Sequence, residues 1–187
     1  MIFHTTALTG AWLIDIEPRS DERGLFARTV CHDEFARHGL TAEFVQQSVS
    51  WNPQQGTLRG LHFQLSPYQE VKLVRVTRGA IFDVIVDLRP NSATFGQSCC
   101  VELSAQNRQQ LYIPAGMAHG FQSLVPETEI LYQMNRPFHA ASARGLRWND
   151  PRLAIAWPTC STRIVSQQDN ALPGFDTLLS AMSMRHP

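Results

Sequence analysis

An all-β sandwich or barrel with few helices is the architecture this sequence predicts, and three observations predict it. Short apolar runs of four to nine residues follow one another from residue 44 to residue 134. The breaks between them carry Gly56, Pro67, Gly79, Pro90, Gly96, Pro114, Gly116 and Pro126, which is the punctuation of turns between strands rather than of alternating strand–helix units. The run Ile81-Phe-Asp-Val-Ile-Val-Asp87 is apolar at both odd and even positions. That pattern suits a strand covered on both faces, by a second sheet on one side and a partner subunit on the other. The length of 187 residues is enough to bury a sizeable core, and residues 1–187 are expected to form a single domain.

Leu13, Ile14 and Ile16 predict an early strand, closed by Pro18. Asp21-Glu-Arg-Gly24 is a turn by composition, and residues 25–30 then read as a strand. Residues 32–38 predict a short helix, because Asp33 and Glu34 favour its N-terminal end and Gly39 stops it. Strand composition returns in residues 44–51, 58–64, 71–77, 80–88, 99–103, 110–113, 121–124 and 129–134. A terminal helix is expected around residues 177–184.

Sixteen basic and sixteen acidic side chains cancel. No overall field therefore draws the chain to nucleic acid or to an anionic membrane. No stretch approaches the roughly 18 consecutive apolar residues of a membrane span. Met1-Ile-Phe-His-Thr5 lacks the charged start and apolar core of a signal peptide. Cys31, Cys99, Cys100 and Cys160 show no CxxC spacing, so buried, reduced thiols are expected, as suits a cytoplasmic protein.

The apolar runs carry a few reactive side chains, each with a bland reading beside a functional one. A histidine such as His62 in an apolar strand is more often packed or on the surface than catalytic. Gly60, however, lets a backbone or ligand come close. A neutral imidazole, with a pKa of about 6.5, suits removal of a weakly acidic carbon-bound proton. Lys72 reads as a side chain snorkelling from a sheet edge, or as a cation beside an oxygen that becomes negative. Tyr132 reads as a packing residue with an exposed hydroxyl, or as a proton donor facing His62 across the width of a sugar ring. Asp169 reads as surface, or as the carboxylate that fixes the tautomer of His62. Base, orienter, oxyanion stabiliser and proton donor together suit proton abstraction next to a carbonyl.

His62 and His119 raise the question of a metal. A metal site needs at least a third ligand, which Glu70 could supply, but no histidine follows His62 by two residues, and a metal is disfavoured. Arg23-Gly24 and Arg59-Gly60 each join a forked cation to a glycine, a combination suited to a diphosphate. Arg28, Arg75 and Arg78 read as ordinary surface cations.

From about residue 21 to residue 175 the chain resembles the dTDP-4-dehydrorhamnose 3,5-epimerases of the cupin superfamily. The motifs are Leu58-Arg-Gly-Leu-His-Phe-Gln64, Lys72-Leu-Val-Arg75, Phe82-Asp-Val-Ile-Val-Asp-Leu-Arg89, Ile113-Pro-Ala-Gly-Met-Ala-His-Gly-Phe121 and Arg147-Trp-Asn-Asp-Pro151. The resemblance implies a jelly-roll β-barrel, a homodimer that exchanges N-terminal strands, and catalysis without metal or cofactor. It implies epimerisation at C3, C5 or both of a nucleoside-diphospho-4-keto-6-deoxyhexose. His62 would be the base, held by Asp169; Lys72 would stabilise the enolate at the sugar O4, and Tyr132 would return a proton from the opposite face. Arg23, Phe26, Arg28, Gln46, Ser48, Arg59 and His119 would contact the substrate, and Phe138 would stack on the nucleobase.

The chain departs from the family's usual residues at Arg28, Ser48, Ala143 and Gln168, where the family has glutamate, asparagine, glutamate and lysine. These departures make a CDP-linked sugar the alternative substrate, and family relatives that epimerise one carbon only make inversion at C3 alone the alternative outcome. Rival classes are a non-catalytic cupin that binds a sugar nucleotide and a metal-dependent cupin oxygenase or isomerase. His62, Lys72, Tyr132 and Asp169 together argue against the binding module, because affinity alone needs no base and acid on opposed faces.

Overall fold

The computed structural model of the chain describes residues 1–183. It opens with β1 (Ile2–Thr5) and β2 (Trp12–Asp15), a small hairpin of β3 (Arg19–Asp21) and β4 (Gly24–Phe26), and helix α1 (His32–Arg37). The body consists of β5 (Gln46–Asn52), β6 (Thr57–Gln64), β7 (Lys72–Arg78), β8 (Ala80–Asp87), β9 (Ser98–Ser104), β10 (Gln110–Ile113), β11 (Met117–Ser123) and β12 (Thr128–Met134). Short strands β13 (Ala143–Gly145) and β14 (Ile164–Val165) and helices α2 (Gln167–Asn170) and α3 (Phe175–Ser183) follow.

Two sheets hold these strands. One runs β1-β2-β10-β7-β12-β5; the other runs β13-β6-β11-β8-β9, with β14 beside β6. Successive strands β5 to β8 alternate between the sheets, so sequence neighbours face each other across the sandwich, as in a jelly roll. Side chains of alternate residues point into the space between the sheets. Val74 and Val76 of β7, Leu111 and Ile113 of β10 and Ile130 of β12 meet Ile81 and Ile85 of β8 and Met117 and Phe121 of β11 in one buried cluster. Truncating a fully buried phenylalanine such as Phe121 to alanine costs about 3–5 kcal/mol in a core of this kind.

Val84 and Val86 on the other face of β8 pack with Leu61 and Phe63 of β6 under Leu146, Leu153, Phe175 and Leu178. The strand is thus covered on both faces as expected, but its outer cover is the chain's own C-terminal segment instead of a partner subunit. On the outer face of the first sheet, Ile14, Leu73 and Tyr112 are capped by Phe35 of α1.

Several boundaries differ from the sequence reading. The strand expected over residues 25–30 stops at Phe26, because among the described residues the β3–β4 ribbon pairs only with itself, and its residues are exposed. Strand β11 starts at Met117 rather than residue 121, being paired along its whole length with β8. The thiols are free but not buried: Cys100 is exposed and Cys31, Cys99 and Cys160 are partly so. Cys99 and Cys100 lie on β9, an edge strand with a neighbour on one side only. The last helix starts at Phe175, and Met184 of the expected span lies outside the described residues. Among the described residues no helix is long and apolar enough to cross a membrane.

Candidate active site

Strand β6 places the first reactive group. Gly60 has a φ of +122°, and a Cβ there would stand 2.6 Å from the Cα of Gly120 on β11. The two glycines let β6 and β11 approach closely and bring His62 and His119 opposite one another as register partners. His62 Nε2 lies 2.7 Å from Asp169 Oδ1. Asp169 belongs to α2, whose N-cap Ser166 accepts from the Asp169 backbone N–H at 3.0 Å. Its other oxygen accepts from the Gly60 N–H at 3.1 Å. Burial pushes this carboxyl up, but the bonds from His62 and Gly60 more than reverse that and hold it below the usual carboxylate range. The Asp169 side chain is 7% exposed and that of His62 is 49% exposed, so the imidazole faces open space while its orienting partner is shielded.

Lys72 and Tyr132 come from the opposite sheet. Lys72 starts β7, between Ile113 of β10 and Met134 of β12, so it is not the edge residue of its bland reading. Its ammonium sits 3.1 Å from Glu70 Oε1 and donates to the His62 carbonyl at 3.4 Å. Glu70 also accepts from Gln64 at 2.6 Å. Tyr132 lies on β12 opposite Ser48 of β5. Burial first, then the negative charge of Asp83, push its phenol far above the usual value, with Arg59 pulling weakly the other way.

A cavity of about 630 Å³ opens between the sheets, lined by Gln46, Ser48, His62, Lys72, Tyr132 and Phe138 among others. A second lobe of about 440 Å³ shares Ser48, His62, Lys72, Tyr132 and Gln168 and adds Arg59, His119 and Asp169. Nine of the twelve expected site residues therefore meet: His62, Lys72, Tyr132, Asp169, Gln46, Ser48, Arg59, His119 and Phe138. The other three, Arg23, Phe26 and Arg28, do not line it within this chain. Arg23 is held by Asp21 at 2.5 Å on the exposed hairpin, Phe26 is 79% exposed, and Arg28 pairs with Glu34 at 3.0 Å. Of the departing positions, Ser48, Ala143 and Gln168 line the cavity. Among the described residues no group of three or more His, Cys, Asp and Glu side chains is arranged to hold a metal ion. Glu70, the third ligand considered, is engaged by Lys72 and Gln64.

Sequence reading missed Asp83. It is wholly buried on β8 and lies 2.6 Å from His119 Nε2 through Oδ1, while Oδ2 has no hydrogen-bond partner among the described residues. Burial pushes its carboxyl up, offset in part by His119 and Lys72. The only signal in the sequence was an acidic residue inside an apolar run.

The family model described as dTDP-4-dehydrorhamnose 3,5-epimerase matches residues 5–177. The chain belongs to that family. Membership makes it an isomerase of the epimerase type and agrees with the β-rich, cupin-like fold. It is 42% identical over 173 residues to the dTDP-4-dehydrorhamnose 3,5-epimerase of Sinorhizobium fredii, covering 92% of this chain and 89% of the relative. The crystal structure of the Bacillus anthracis dTDP-4-dehydrorhamnose 3,5-epimerase with TDP and PPi bound superposes with a TM-score of 0.89 at 42% identity, covering 93% of this chain and 99% of that one. A 3'-monoepimerase from Streptomyces bikiniensis in complex with dTDP-quinovose has a TM-score of 0.89 at 29% identity, covering 96% of this chain and 90% of that one.

Proposed function

We propose that the chain inverts carbons beside the keto group of a nucleoside-diphospho-4-keto-6-deoxyhexose, at C3 and C5. The observation that carries this reading is that His62 and Tyr132 stand on opposed sheets and share one cavity with Lys72. His62, oriented by Asp169, takes the carbon-bound proton. The electron pair moves onto the keto oxygen, where the Lys72 ammonium meets the developing charge; preorganised donors of this kind are worth about 100- to 1,000-fold in rate. Tyr132 gives its proton to the other face of the carbon, which inverts it. A phenol held far above its usual pKa stays protonated at neutral pH and is available as that acid.

The single domain acts as a homodimer in this reading, with no cofactor, in the cytoplasm. Support for the second copy lies on edge strand β5, where Val49 and Trp51 are 59% and 54% exposed, next to Val45 at 67%. A copy seated there with its N-terminal hairpin would cover that apolar edge and bring its own Arg23, Phe26 and Arg28 to the cavity. C3 inversion alone is the second reading, favoured by the likeness to a 3'-monoepimerase. Incubation of the dTDP-linked 4-keto-6-deoxyglucose in heavy water decides between them. Deuterium together with inverted configuration at both C3 and C5 supports double inversion, at C3 alone the second reading, and inversion at neither position overturns both. Titration with dTDP and CDP tests the carrier, a clear preference for dTDP removing the CDP alternative.

A further inference from the structure

Two histidine–carboxylate pairs stand side by side in this cavity, and the proposed reaction uses only one. His62 and His119 are register partners on β6 and β11, and each contacts a carboxylate through Nε2, Asp169 at 2.7 Å and Asp83 at 2.6 Å. Their surroundings differ. The His62 side chain is 49% exposed; those of His119 and Asp83 are 4% and 0% exposed. The His119 ring meets the Tyr132 ring edge-on with centroids 5.8 Å apart. Asp83 keeps one oxygen unpartnered on a face where its neighbours Ile81 and Ile85 are apolar core. A buried acceptor with no donor destabilises a fold, so packing does not account for this carboxylate.

We propose that His119 and Asp83 form a proton-holding pair that restores Tyr132 after each inversion, with Asp83 acting as a positioning residue for His119. The inference rests on the reading of Tyr132 as the acid. Each inversion leaves Tyr132 as a phenolate and His62 with one extra proton. With a sugar filling the cavity, bulk water is displaced from the phenol. The charged or titratable groups that face it are then Asp83 from β8, His119 from β11, Arg59 and His62 from β6 and Lys72 from β7. Arg59 is committed to Asn52 at 2.9 Å and does not give up a proton, and Lys72 is held by Glu70 at 3.1 Å. His119, whose ring meets that of Tyr132, is the remaining donor. In the restoring step an N–H bond of the loaded pair breaks and the O–H bond of Tyr132 forms. The pair then takes one proton from solvent while exposed His62 releases to solvent the one it removed from carbon. No proton is gained or lost over the cycle.

The test separates exchange from inversion. In heavy water, His62 alone can wash deuterium into the substrate with retention, whereas inversion also needs Tyr132. Both rates are measured by NMR in the wild type and in Tyr132→Phe, Asp83→Asn and His119→Gln. Asp83→Asn is expected to lower inversion at least about tenfold, part of the roughly 100- to 10,000-fold a general acid contributes, while wash-in stays within about threefold. His119→Gln, at a residue that also lines the substrate cavity, is read as the ratio of inversion to wash-in at saturating substrate, which should fall at least about tenfold, and it supplies the reading if Asp83→Asn does not fold. A parallel fall of both rates in these two variants, or no change in either, overturns the inference. If Tyr132→Phe loses inversion but Asp83→Asn and His119→Gln keep it, the inference alone fails. If Tyr132→Phe inverts at the wild-type rate, the assignment of the acid fails and the inference with it.

Discussion

Asp83 and Asp87 lie four residues apart on β8, both wholly buried, and they do opposite things. The Asp87 carboxylate accepts from Arg89 Nε at 2.8 Å and Nη2 at 2.7 Å, from Ser92 Oγ at 2.5 Å, from Thr94 Oγ1 at 2.7 Å and from the Arg89 backbone N–H at 3.0 Å. Arg89 also donates to the Thr9 carbonyl at 2.6 Å, which ties the turn after β8 to the N-terminal segment. Burial pushes the Asp87 carboxyl up, and these donors more than reverse it, to well below the carboxylate range. Among the described residues Asp83 has His119 as its one hydrogen-bond partner, and burial pushes it up. A fully satisfied buried carboxylate pins a fold; a partly satisfied one beside a cavity is material for proton transfer.

The contrast predicts that stability and chemistry separate. Asp87→Asn should lose about 3–5 kcal/mol in urea unfolding, because it leaves a largely buried guanidinium without its counter-charge. Its rate per folded molecule should be unchanged. Asp83→Asn should unfold within about 1 kcal/mol of the wild type, since the amide oxygen can still accept from His119. The reverse pattern would break the comparison.

Acid sharpens it. With a folded pKa below the unfolded value of about 3.9, Asp87 contributes stability at neutral pH that is lost as pH falls below about 4. Asp83 has the opposite sign: its contribution is present below about pH 4 and is lost as pH rises through its raised folded value. In urea midpoints at pH 7 and pH 3, the deficit of Asp87→Asn should therefore shrink on acidification. Asp83→Asn should stand higher relative to the wild type at pH 7 than at pH 3.

The smallest effect is expected far from both carboxylates. Phe138 is 66% exposed at the cavity wall, with its backbone N–H donating to Gln46 at 2.9 Å. Phe138→Ala should weaken nucleotide binding about three- to tenfold by calorimetry, the loss of about 0.5–1.5 kcal/mol of stacking, with the saturated rate unchanged.

Strand positions were legible because apolar runs and Gly or Pro breaks are local signals. The cover over β8 was not, since Leu146, Leu153 and Phe175 come from an irregular segment with no periodicity to read. His62 and Asp169 are 107 residues apart, so their pairing came from family resemblance and not from spacing. Asp83 passed as one polar residue in a buried strand, because an unpartnered oxygen exists only once the sheets have closed around it. Arg23 was legible as a diphosphate contact from the glycine beside it, Phe26 and Arg28 only through the same resemblance, and within one chain the hairpin and the residues after it lie away from the cavity.

The central claim is that His62 removes the proton beside the keto group. It is tested most directly by His62→Asn, compared with the wild type for deuterium wash-in at C3 and C5 of the 4-keto sugar nucleotide in heavy water. The variant should fold, bind nucleotide as the wild type does, and lose wash-in at both carbons. Wash-in persisting at the wild-type rate would contradict the account.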